Sequence, residues 1–196
     1  MIAKAAPAGP FAEAIRNLMA TATSQRMLPA DIHAARNGDF AGIEKRFAKD
    51  SSQFALGMYF SVVCSEAAAR ISESDVARTS ADTFLGEYRV RQELGACSNW
   101  PKHDLAPAFY DPPKSDASVL VLAGEMDATA PPDWSYEFCA KLPHCRVVLF
   151  PDLGHGPFDL DQWEHGECWD GIAAHFLATG SVDDRCMKAM KPPPFQ

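Results

Sequence analysis

No basic stripe, no apolar stretch of membrane-spanning length and no C-x-x-C pair occurs in the 196 residues of this chain. Without a basic stripe, and with a net charge of −8, nucleic acid is not an expected partner. A membrane span needs roughly 18 consecutive apolar residues, so no membrane partner is expected and the product should be soluble. The missing C-x-x-C removes the spacing of a zinc ribbon or a thioredoxin-type redox motif. The opening residues, Met1-Ile-Ala-Lys-Ala-Ala-Pro7, lack the apolar stretch of a secretory signal.

Hydrophobic residues make up 47% of the chain, enough for a core, and the cysteines number six. An even count at wide spacing suits structural disulfides in an oxidising compartment, with six buried, inert thiols as the alternative.

Residues 1–115 read as helical and irregular. Phe11, Ile15, Leu18 and Met19 recur at helical spacing. Pro29 opens a helix to Arg36, Asn37-Gly38 stops it, and Asp39 caps the next. The residues from Gln53 to Val63 form a further helix, and Asp75 to Leu94 another that Gly95 ends. Pro101 to Pro113 is a linker rich in proline and aromatics. From Asp116 the pattern changes to strand, helix, strand, helix. The strands are expected at 118–123 and 146–150, and the helices at about 132–142 and 162–177, the latter stopped by Gly180. Trp163, Trp169 and Phe176 are core candidates, while Asp159, Asp161 and Glu164 should be a solvated helix start. Both strands are continuous apolar runs, the pattern of a sheet covered on both faces. Two strands with one crossover are too few to stand alone, so the chain reads as a fragment.

Chemistry concentrates where the two strands end. Asp127 follows the first, in Gly124-Glu-Met-Asp127, and His155 follows the second, in Gly154-His-Gly156. An acid and then a histidine, each after a parallel strand, is the back half of an α/β-hydrolase active site, whose chain order is serine, acid, histidine. His155 would take a proton from a serine hydroxyl and return it to the leaving group. Asp127 would accept from the other ring nitrogen and hold the tautomer. Glu125 is the competing acid and sits closer to the strand. None of the twelve glycines belongs to a G-x-S-x-G, so the nucleophile elbow is not encoded. His144, His155 and His165 match no usual metal-ligand spacing, and neither metal nor cofactor is expected.

Other segments match a family. Ala55 to Glu66 is similar to a G-x-x-x-[SA]-[VI]-x-C-x-E signature, and Cys97-Ser-Asn-Trp-Pro101 to a C-x-x-W-P. With Leu28-Pro-Ala-Asp-Ile-His-Ala-Ala-Arg36, the acid and histidine turns and the tail from Cys168 to Phe195, they cover most of the chain. Together they resemble the C-terminal half of tripeptidyl aminopeptidase-like enzymes, secreted serine peptidases of the α/β-hydrolase fold related to proline iminopeptidases. The resemblance departs at Asp127-Ala-Thr-Ala-Pro131, where the family has D-P-x-T-P, and at Ala67, where an acid is usual.

The resemblance implies a helical cap or lid region at 1–115 and the C-terminal part of a catalytic domain at 116–196. Asp127 and His155 would be catalytic, and the Glu66 carboxylate would bind the free N-terminal ammonium of a peptide substrate. It further implies a secreted or periplasmic protein cleaving peptides through an acyl-enzyme, with the absent N-terminal half of the fold as a possible partner. An esterase or amide hydrolase of the same fold, or a truncated non-catalytic chain, are the alternatives. Disulfides are expected at Cys168–Cys186 and Cys64–Cys97; the pairing of Cys139 and Cys145 stays open.

Overall fold

The computed structural model of the chain describes residues 8–51 and 55–195. Among them the order is α1 (Ala8–Leu18), α2 (Ala22–Arg36), α3 (Ala41–Ser51), α4 (Leu56–Glu66), α5 (Glu73–Ser80), α6 (Tyr88–Cys97), β1 (Val119–Gly124), α7 (Pro132–Cys139), β2 (Cys145–Phe150) and α8 (Cys168–Thr179). The described residues form two compact units. One holds the chain up to Asn17 with Asn37–Asp111; the other holds Leu18–Arg36 with everything from Pro112 onward.

The second unit is built on the sheet. β1 and β2 pair in parallel, in register from Val119 opposite Cys145 to Gly124 opposite Phe150. The connection runs through α7, which starts at Pro132 with Asp133 in its first turn. Proline has no N–H to leave unpaired there, and the carboxylate complements the helix dipole. Phe150, fully buried, centres a core with Val148, Leu153, Leu160, Trp163, Cys168 and Ile172, joined by Ala22 of α2. Burying a phenylalanine of this kind contributes about 1.5–3 kcal/mol. Trp169 packs on Phe150, with ring centroids 4.8 Å apart. Phe176 is half-buried.

Two expectations in this unit need correction. α8 begins at Cys168 rather than near residue 162, because the chain first makes a 3₁₀ turn at Leu160–Gln162 and a left-handed step at His165 (φ 59°). At Gly166 the backbone folds back so closely that a Cβ would lie 1.9 Å from the Leu160 carbonyl oxygen, which excludes a continuous helix. Asp159 is not solvated. It is 4% exposed, and its Oδ2 accepts from the Thr23 backbone N–H at 2.7 Å. The first-turn N–H groups of a helix have no partner inside the helix, so Asp159 caps α2 from far along the chain. With that cap and Thr21 Oγ1 accepting from Ser24 N, α2 starts at Ala22 and carries Pro29 in its interior; Pro29 does not open it.

The first unit is helical. Cys64 and Cys97 join α4 to α6. Arg89 of α6 pairs with Glu13 of α1 at 2.5 Å and with Glu93 at 2.8 Å. Its guanidinium also donates to the Tyr59 hydroxyl at 2.9 Å, while that hydroxyl donates to Glu93. The single helix expected from Asp75 to Leu94 is two helices. α5 is fixed earlier by a capping box between Ser72 and Asp75, and the chain then turns through Asp82 (φ 56°) and Gly86 (φ 54°). α6 continues through Gly95 to Cys97. α4 runs to Glu66, beyond the expected Val63, and Gln53 and Phe54 lie outside the described residues. Asp39 does meet the next helix: its Oδ1 accepts from Ala41 N at 3.0 Å.

Candidate active site

Because β1 and β2 are parallel, their carboxyl ends share one edge of the sheet, the edge where open α/β sheets bind ligands. The pairing extends past the strands. Glu125 N donates to the Phe150 carbonyl and Met126 N to the Leu153 carbonyl, each at 2.9 Å. These bonds carry the acid turn alongside the histidine turn. The turns touch at two glycines: a Cβ on Gly124 would lie 2.1 Å from the Gly154 carbonyl oxygen. Gly156, beyond the histidine, has φ 67°, a conformation glycine adopts without steric penalty.

The outcome is a hydrogen bond of 2.8 Å between Asp127 Oδ2 and His155 Nδ1. The carboxylate is buried, its side chain 7% exposed, whereas the imidazole is 39% exposed. Asp127 Oδ1 accepts from Thr129 N at 2.7 Å and from Ala130 N at 2.8 Å. Backbone amides therefore orient the acid, and the Thr129 hydroxyl takes no part in those bonds. An ionised Asp127 can only accept, so it selects the tautomer with the proton on Nδ1 and leaves Nε2 as a base. Phe158 lies beside the ring, with centroids 6.0 Å apart.

A segment that the sequence does not link to the site holds both turns. The Ala20 carbonyl accepts from His155 N at 2.5 Å. Gln25 Nε2 donates to the Met126 carbonyl at 2.9 Å and to the Met19 carbonyl at 2.5 Å. Arg26, itself buried, donates from Nη2 to Asp152 Oδ1 at 3.2 Å. No local signal marks these residues, because their partners lie more than a hundred positions away.

Glu125 is exposed, and its side chain makes no hydrogen bond among the described residues. Glu66 belongs to the helical unit, half-buried at the end of α4, where its backbone carbonyl accepts from the Tyr110 hydroxyl at 3.1 Å. Cys64–Cys97 and Cys168–Cys186 are bonded, and Cys139–Cys145 forms a third disulfide. Among the described residues no group of three or more His, Cys, Asp or Glu side chains could hold a metal ion, and no helix is long and apolar enough to cross a membrane.

A family model described as TAP-like protein matches residues 82–188, more than half of the chain and including both turns. The chain belongs to this TAP-like family of α/β-hydrolases. A 64-residue stretch of the TAP-like chain is 33% identical to 2-hydroxy-6-oxo-6-phenylhexa-2,4-dienoate hydrolase of Burkholderia cepacia. That stretch is 33% of this chain and 21% of the relative, so the match spans about a fifth of the relative's length. No solved structure matches the chain. The mixed helical architecture with a small parallel sheet agrees with the α/β-hydrolase assignment.

Proposed function

We propose that this TAP-like chain supplies the acid and the base of a serine-hydrolase centre, in a secreted enzyme that cleaves peptides from a free N-terminus. The observation that carries the reading is the Asp127–His155 hydrogen bond of 2.8 Å, which leaves Nε2 of an accessible ring as the base. In this scheme a serine hydroxyl attacks the peptide carbonyl while His155 Nε2 takes its proton. The proton passes to the leaving amine, and water then releases the acyl group by the same route. The serine is supplied by a segment outside this sequence, the N-terminal half of the fold. The helical unit serves as cap, and Leu18–Arg36, which join the sheet unit, belong with residues 116–196 to the rest of the catalytic domain. Glu66 binds the substrate ammonium by a charge-assisted hydrogen bond. Three disulfides fit an oxidising compartment, in keeping with a secreted or periplasmic location. A hydrolase of a small non-peptide substrate is the second reading, favoured by the name of the Burkholderia relative; a non-catalytic chain is what remains if neither holds.

Peptidyl p-nitroanilides with free and with acetylated N-termini, beside p-nitrophenyl esters, separate these readings. This chain alone should turn over none of them. Combined with a segment carrying a G-x-S-x-G elbow, it should cleave the free-amine anilides. Asp127→Asn should then lower kcat by about 10⁴, as expected for an acid that fixes the tautomer. Preference for acetylated over free-amine anilides, or turnover of the esters with none of the anilides, would reject the aminopeptidase, and full activity in His155→Ala would reject the centre itself.

A further inference from the structure

The Asp127–His155 pair is held by two turns that follow different strands, and each turn is also tied to the short segment ahead of α2. Gln25 makes that tie on the acid side. Its Nε2 donates to the carbonyl of Met126, the residue just before Asp127, and to the carbonyl of Met19. Next to Met19, the Ala20 carbonyl receives His155 N. One amide group therefore connects the acid turn to the strap that holds the histidine turn. At Gly154 the strap lies so close that a Cβ would sit 2.4 Å from the Ala20 oxygen. Two facing carbonyls require the NH₂ end of the amide, which fixes its orientation. The Oε1 end is buried without a partner among the described residues.

We propose that Gln25 is a positioning residue that sets the reach between Asp127 and His155, resting on the reading of that pair as the working acid and base. Without the amide donors the Met126 carbonyl turns to water, the acid turn relaxes away from the strap, and the Asp127–His155 bond lengthens. The imidazole then loses its single tautomer.

The test is nitrogen NMR of the 196-residue chain, which reads the protonation of the two His155 ring nitrogens without any catalysis. The wild type should hold its proton on Nδ1, with a far-downfield Nδ1–H resonance. Gln25→Glu keeps the shape and removes the donors; Gln25→Met removes the amide altogether. Both should lose the downfield proton and pass to a mixture in which Nε2–H predominates, as in Asp127→Asn. Gln25→Lys, which keeps a donor, should retain the lock. Folded Gln25→Glu or Gln25→Met protein with the tautomer still locked overturns the assignment, as does a Gln25→Lys variant that behaves like Gln25→Met. If Gln25→Glu and Gln25→Met both fail to fold, Gln25 is a folding residue and the positioning role falls. A wild type without the lock removes the acid–base pair, and with it the proposed function, whatever the variants do.

Discussion

Asp75 shows how a single residue's hydrogen bonds set its electrostatics outside the candidate site. The Ser72 hydroxyl, then Arg78 and the Ser72 backbone N–H, hold its carboxyl down at about 2, from an ordinary value of 3.8. Bonds of this kind favour the ionised form. The folded-state value is the depressed one, so the stabilisation of α5 is complete above the unfolded value and is lost as pH falls through about 2. An NMR titration of the Asp75 carboxyl should have its midpoint near 2; a midpoint at the ordinary value would mean that the capping box does not form in solution. This pattern stands in the sequence, serine followed three residues later by an acid, yet a helix start at Asp75 passes over it. Asp159 teaches the reverse lesson. Nothing near it predicts burial, because its partner is the first turn of α2.

At the scale of elements, α8 offers two glycines with opposite expected effects. Gly180 ends the helix in the left-handed region at φ 71° with open space around its missing Cβ. A non-glycine residue there costs about 1 kcal/mol or slightly more. Gly171 lies inside the helix, also facing open space, and alanine at such a position gains about 0.4–1 kcal/mol. Urea unfolding should therefore place Gly180→Ala below the wild type and Gly171→Ala above it. Shifts of the same sign would show that the end of α8 is not built this way. Gly180 could be read from the sequence because a stop there follows an apolar periodic stretch. Gly95 looks similar and does not stop α6, whose last residue, Cys97, is bonded to Cys64 of α4. A glycine permits a turn, and its surroundings decide whether the chain takes it.

At the scale of the whole molecule, the three disulfides order themselves by the loops they close. Cys64–Cys97 spans 33 positions, Cys168–Cys186 spans 18 and Cys139–Cys145 spans 6. The chain-entropy model then assigns about 4, 3 and 2 kcal/mol respectively. Paired Cys→Ala replacements, measured by denaturant unfolding, should destabilise in that order. Equal losses would point to native-state packing as the main contribution instead. The longest loop lies within the helical unit and the other two within the sheet unit.

The sequence by itself determined what depends on neighbours a few residues apart: the apolar strands, the proline start of α7, the glycine end of α8, and an acid and a histidine placed after successive strands. Periodicity and turn chemistry act over that range, so they are written locally. Tertiary structure alone decided that Leu18–Arg36 joins the sheet unit, that Asp159 caps α2, and that Gln25 and the Ala20 carbonyl brace the two turns. Each of those contacts pairs polar groups more than a hundred residues apart. A backbone N–H or carbonyl carries no mark of the side chain it will meet, and only the folded chain brings them within bonding distance.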